Sequence, residues 1–263
     1  MHIRGFFKKC YGGFYTHRLL ENAASLSFYT LMSLVPILAT LLGIAKGFGV
    51  DAILEKEILS AVPNQEVFAE KVIAFSKRML EESRGGLVTG VGILLLLWSF
   101  LGLLSSFEKV LNDIWNVKEG RSFSRRLGDF LGFIFLSPFV FVAISSTTLL
   151  VTTEVAHFFE GKSEYVRQLF ALIPTFITFM VYTFFYLYIP NTKVPLGTTL
   201  IAALLAAILF QIAQWGYLHF QVSLSRYDAI YGTFAAIPLF LIWLQMSWLI
   251  TLLGAEMSYR FQE

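Results

Sequence analysis

Gly197-TTLIAALLAAILFQIAQWGYLH-Phe220 contains no Asp, Glu, Lys or Arg. A run this long and this apolar exceeds the ~20 residues that carry a helix across the hydrocarbon core of a bilayer. Five further apolar runs accompany it: Asn22–Lys46, Leu87–Phe107, Asp129–Thr153, Leu169–Pro190 and Ile230–Met257. Short charged stretches separate them. Hydrophobic residues make up 56% of the 263-residue chain and charged residues 14%, and a mean hydropathy of +0.67 leaves little room for a soluble domain. The expectation is an all-α membrane protein with six transmembrane helices, forming a single transmembrane domain over residues 1–263.

The distribution of Lys and Arg gives an orientation. With an even number of spans both termini lie on one side. That side would hold Arg4, Lys8, Lys9, Arg18, Lys109, Lys118, Arg121, Arg125, Arg126, Lys193 and Arg260, whereas the short loops opposite hold only Lys162, Arg167 and Arg226. Positive residues concentrate in cytoplasmic loops, so both termini are expected in the cytoplasm. Cys10 is the sole cysteine, which excludes an intrachain disulfide, and it falls on the side where thiols stay reduced. Residues 1–21 carry neither an apolar core nor a small-residue cleavage site, so the first span is expected to direct insertion.

Two segments outside the spans have helical patterning. Within residues 1–21, Ile3, Phe6, Phe7, Cys10 and Phe14 share one face and Arg4, Lys8 and Lys9 another, which suits a cytoplasmic interfacial helix on an anionic leaflet. Residues 47–86 read as two amphipathic helices broken at Pro63-Asn64, an extracytoplasmic helical hairpin between transmembrane helices 1 and 2. Phe68, Val72, Phe75 and Met79 are the expected apolar stripe of its second helix. Gly43/Gly47, Gly86/Gly90 and Gly128/Gly132 have the four-residue spacing that lets helix backbones approach closely.

Polar side chains form stripes inside the spans. Span one aligns Asn22, Ser25, Tyr29 and Ser33, continued by Pro36, where the missing N–H predicts a bend or break. Span three carries Ser137, Thr148 and Thr152 beside Pro138. Span four aligns Thr175, Thr178, Tyr182 and Tyr186; span five has Gln211 and Gln214; span six aligns Tyr231, Pro238, Gln245 and Glu256. Two readings compete. Hydroxyls often bond their own helix and polar side chains glue helices together; alternatively the stripes line a polar cavity. Their neutral character through the middle favours an uncharged or amphiphilic passenger over an ion or proton relay. Near the cytoplasmic end of span two, Trp115 suits an interface anchor, and Arg121, Arg125 and Arg126 are lipid-headgroup candidates that ordinary topology signals would also explain.

Chemistry of other kinds is missing from the sequence. His2, His17, His157 and His219 are scattered without metal-ligand spacing, and there is no P-loop, GxSxG or HExxH. The residues therefore imply no catalytic site, no metal and no cofactor. No basic-aromatic surface suggests nucleic acid as a partner.

Ala23-ASLSFYTLMSLV-Pro36, Trp98 with Asn112-Asp-Ile-Trp115, Tyr188-IPNTK-Val194, and Tyr231-Gly-Thr-Phe with Trp243 and Gly254-Ala-Glu256 occur in an order and spacing that resembles the YihY/virulence factor BrkB family. The resemblance covers nearly the whole chain, on Pro36, Trp115, Pro190, Asn191, Tyr231, Gly232, Gly254 and Glu256. It implies a six-helix, multi-pass protein of the bacterial inner membrane, linked to envelope integrity and to lipid or lipopolysaccharide-precursor transport. An older ribonuclease label in the family finds no chemical support in these residues. The first expectation is thus a transporter or permeation pathway for an amphiphilic or small polar molecule, with membrane lipids as partners. The alternative is a non-transporting scaffold that supports the envelope through protein partners. The sequence does not give the oligomeric state.

Overall fold

The computed structural model describes residues 3–61, 66–82, 87–122, 124–125, 128, 172–225 and 236–262, and all regular structure among them is helical. In chain order the helices are α1 (Ile3–Thr16), α2 (Leu19–Gly47), α3 (Asp51–Ala61), α4 (Glu66–Glu82), α5 (Leu87–Ile114), α6 (Ile173–Tyr188), α7 (Leu196–Ser225) and α8 (Ala236–Arg260). Three described stretches are long and apolar enough to cross a membrane: Leu19–Gly47, Leu196–Phe220 and Pro238–Arg260. The expected third span, Asp129–Thr153, and the break at Pro63-Asn64 lie outside the described residues.

Local chemistry sets the helix ends. Gly49, at φ +73°, closes α2, with its N–H on the Lys46 carbonyl and Val50 N–H on Ala45 O. Asn116, at φ +54°, closes α5 in the same way, through Asn116 N–H to Asp113 O and Val117 N–H to Asn112 O. Both are Schellman ends, for which Gly and Asn accept the left-handed backbone at least cost. Pro174 opens α6 in its first turn, where a missing N–H breaks no intrahelical bond. α2, in contrast, runs through Pro36 without the expected break. Long membrane helices absorb a single lost bond.

Two compact units emerge, each assembled from separate stretches of chain. The first contains Met1–Phe28, Leu104–Arg121 and Leu172–Glu263. Its centre is α7, packed against α6 and α8, with α1 laid on α8. Ala202, Ala203, Ala206 and Ala207 are fully buried, whereas Ile201, Leu204, Ile208 and Ile212 of the same helix are exposed. Small residues inside and large apolar ones outside are what a membrane helix requires, since lipid solvates the large ones and small ones admit close backbones. The three helices come close together at Gly254 of α8. A Cβ there would overlap Tyr186 Oη and stand 2.7 Å from Ala206 Cβ.

The second unit contains the described residues of Tyr29–Leu103 and Ser122–Ala171. Leu42 and Ala45 at the end of α2, Leu54 of α3 and Ile73 of α4 form its buried cluster, with Leu41, Val50, Ile58 and Leu59 around it. Lys77 Nζ reaches Glu55 Oε2 at 2.5 Å between α4 and α3. The two amphipathic helices thus form where the pattern placed them, but α4 uses a different face. Ala69, Ile73 and Ser76 are buried and Phe75 is exposed. Ile73 joins the cluster around Leu54 of α3, and Phe75 is left outward.

The expected glycine contacts are also redistributed. Gly47 and Gly128 have open space where a Cβ would go, while Gly102, outside any paired spacing, faces Tyr29, whose Cε1 would be 3.2 Å from a Cβ. Helix spacing alone does not say which glycine meets a neighbour.

Candidate functional site

Polar side chains of the first unit gather at one end of the bundle and at its mid-height. At the end, Glu256 of α8 is fully buried. Its Oε1 accepts from Arg260 Nε at 2.7 Å, one turn along the same helix, and its Oε2 lies 2.8 Å from His17 Nδ1, in the turn between α1 and α2. Asn22 fixes that turn by donating its Nδ2 to the His17 carbonyl. α1 reaches the carboxylate because Gly13 has no side chain: a Cβ there would overlap the Glu256 carboxylate and stand 3.1 Å from Arg260 Nη2. Phe6 stacks on Phe261 with centroids 4.5 Å apart. The docking stripe is therefore Phe6, Cys10, Gly13 and His17, at helical spacing. The apolar face expected to lie on lipid instead divides, and Phe6 and Cys10 turn toward α8. Burial, and then the Glu256 charge, raise the Cys10 thiol above its usual pKa, with Arg260 opposing.

Beside this cluster a second network closes the ends of α5 and α6. Buried Glu108 accepts the Arg121 backbone N–H at 2.7 Å and Asn112 Nδ2 at 3.3 Å. Asn112 Oδ1 accepts from Asn191 N at 2.8 Å, and Asn191 Nδ2 donates to Glu119 O. Asn116 Nδ2 donates to Tyr259 Oη, over which Trp115 packs edge-on. The interface anchor expected at Trp115 is thus buried against α8. Asn112 and Asn191 thus join backbone to short amides, which rigidifies the loops on either side.

Arg121 belongs to that network. Its guanidinium donates to the Tyr188 carbonyl and lies over the Tyr188 ring, 4.8 Å from the centroid. Arg125 is exposed and Arg126 lies outside the described residues. Replacing Arg125 by glutamine should weaken binding to anionic vesicles about fivefold, as one basic residue near such a surface contributes ~1 kcal/mol. Arg121→Gln should chiefly lower thermal stability. Vesicle co-sedimentation of correctly oriented protein checks both, and an Arg121 effect on binding as large as that of Arg125 would contradict the assignment.

Mid-height holds the amides. Thr199 and Ser258 hydroxyls meet at 3.4 Å and Tyr217 faces Trp243 at 6.2 Å, so α7 and α8 run antiparallel in a defined register. That register brings Gln214 level with Gln245, and Gln211 one turn away. Gln211 Nε2 also donates to Thr178 Oγ1 of α6, at 3.4 Å. All four side chains are half-buried. Gln211 lies about 22 Å along α7, well within the apolar stretch.

The other stripe residues divide in kind. Ser33 donates to the Tyr29 and Thr30 carbonyls of its own helix. Tyr182 is buried and stacked on Tyr186, whose hydroxyl donates to Thr251 O. These serve packing. Ser25 is exposed, Tyr29 is half-buried, and nothing is described of the Pro36 side chain. Pro238 sits in the first described turn of α8, so the described residues do not show it interrupting that helix. Tyr231 lies outside the described residues. Among the described residues no three His, Cys, Asp or Glu side chains are grouped to hold a metal. Sequence reasoning missed His17 and Gly13; no local signal links them to a residue at the other end of the chain.

Apolar spans built on small inward residues define a helical membrane protein. Within that class the chain belongs to the Virulence factor BrkB family, whose profile matches residues 10–263. It is 36% identical to a UPF0761 membrane protein of Alkalilimnicola ehrlichii over 91% of this chain and 54% of that protein. A UPF0761 membrane protein of Nitrosospira multiformis is 33% identical over 95% and 60%, and one of Vibrio vulnificus 30% identical over 92% and 77%. The chain thus spans little more than half the length of the first two relatives. No solved structure matches it. Trp115, Pro190, Asn191, Gly254 and Glu256, which carry the family resemblance, all fall within the first unit, and all five are buried or half-buried there.

Proposed function

We propose that this protein is a multi-pass inner-membrane pathway for an amphiphilic or small polar molecule, an envelope lipid or its precursor, with both termini cytoplasmic. The observation that supports it is the mid-height amide layer of Gln211, Gln214 and Gln245. Each amide has two donor hydrogens and an acceptor oxygen with two lone pairs. Among the described residues, the 3.4 Å bond to Thr178 uses little of that capacity. Polar groups at such depth are costly against lipid and favourable beside a polar ligand or water. Thr178, Gln211, Gln214 and Gln245 would contact the passenger's polar part, and no catalytic step is assigned.

A second reading, a scaffold whose polar stripes only join helices, is favoured by the hydroxyls. Ser27, Ser33, Thr183, Ser247 and Thr251 all donate to carbonyls four residues earlier in their own helices. Cysteine accessibility separates the two. In a Cys10→Ser background, Gln214→Cys and Gln245→Cys should react with a charged, membrane-impermeant thiol reagent. Ile212→Cys, on the apolar outer side of α7, and Tyr182→Cys, in the packed interior, should not. Silence at both glutamine positions in folded protein would sink the pathway and leave the scaffold.

A further inference from the structure

α1 has two faces with different occupants. The inner one, Phe6, Cys10, Gly13 and His17, lies on the end of α8 around Glu256 and Arg260. The outer one carries Tyr11 and Tyr15, 66% and 62% exposed, with their rings edge-on at 5.0 Å and their hydroxyls bonded. Lys8 lies about 20° beyond Tyr15 on the helical wheel and is exposed. The inner face is therefore covered by protein, and Tyr11, Tyr15 and Lys8 are not.

The position of α1 decides what covers the rest. It is fixed beside the last turn of α8 and the first turn of α2, both stretches that are long and apolar enough to cross a membrane. A helix at that level lies at the headgroup boundary. Tyrosine is suited to that boundary, with its ring among acyl chains and its hydroxyl among headgroups, and lysine stems reach past it to phosphates. The exposed Lys8 ammonium favours a negative surface over a neutral one.

We propose that α1 is a lipid-charge-sensitive latch: its Tyr11/Tyr15/Lys8 face binds an anionic leaflet, and that binding presses its inner face onto the Glu256–Arg260 end of α8. Surface charge at the membrane then sets how firmly the turn at His17 is held against α8. The idea is independent of whether the bundle transports anything.

Cys10 is a built-in reporter, being the sole cysteine and half-buried under α1. Its labelling by a neutral maleimide measures undocking. The intact chain is reconstituted in phosphatidylcholine vesicles, or in an equal mixture of phosphatidylcholine and phosphatidylglycerol. Labelling should slow about fivefold or more in the anionic vesicles, and added salt should reverse most of this. His17→Ala should speed labelling in both. Lys8→Gln should remove most of the lipid dependence while leaving the rate in neutral vesicles unchanged. An anionic surface also lowers local pH and slows any thiol, so a lipid dependence that persists undiminished in Lys8→Gln would overturn the latch. Equal wild-type rates in the two vesicle types would overturn it without recourse to any variant.

Discussion

Glu256→Ala should destabilise the protein by about 3 kcal/mol, the scale seen when one partner of a buried ion pair is removed. The carboxylate is fully buried, while His17 and Arg260 keep only 12% and 17% of their side-chain surface exposed. Without it, two nitrogen donors point into a space that water reaches poorly, and the desolvation already incurred is no longer offset. Glu256→Gln keeps the shape and one acceptor oxygen, so it should cost less than the alanine. Thermal unfolding of purified protein in detergent reads both. Equal melting of wild type and Glu256→Ala would show that the cluster holds nothing together.

Gly254→Ala should cost about 1–3 kcal/mol, although it adds only a methyl group. That methyl would overlap Tyr186 Oη and crowd Ala206 Cβ at 2.7 Å, so α6, α7 and α8 must all yield at once. Displacing Tyr186 also breaks its 2.8 Å bond to the Thr251 carbonyl. Tyr186→Phe alone should cost about 1 kcal/mol for the lost buried bond. The double variant should then melt higher than additivity predicts, because the phenylalanine has already removed the atom nearest the new methyl. Strict additivity would place the strain of Gly254→Ala elsewhere, at Ala206 alone.

The two substitutions differ in what could be foreseen. Glu256 stood out in the sequence as an acid at the end of an apolar run, but its partner His17 is 239 residues away. The histidines looked scattered because distance along the chain was the only distance available. Gly254 belongs to no four-residue glycine pair, whereas Gly47, which does, meets nothing.

What the sequence determined by itself is whatever depends on local composition. Membrane location follows from run length and apolar content. The existence of α1, α3 and α4 follows from helical periodicity, and the polar positions of α6 and α7 from simple spacing. Tertiary structure decided which face each helix uses. On α1 the arc from Phe6 through Cys10 and Phe14 to Tyr11 carries no charge, and the seat that Gly13 makes for Glu256 selects its Phe6 edge. On α4 two faces were eligible, and the one carrying Ala69, Ile73 and Ser76 is buried while Phe75 stays exposed. The physical reason is common to both. Hydrophobicity, summed along a helix, favours burial of any apolar face, whereas close packing depends on the shape of a partner that lies far off in the chain.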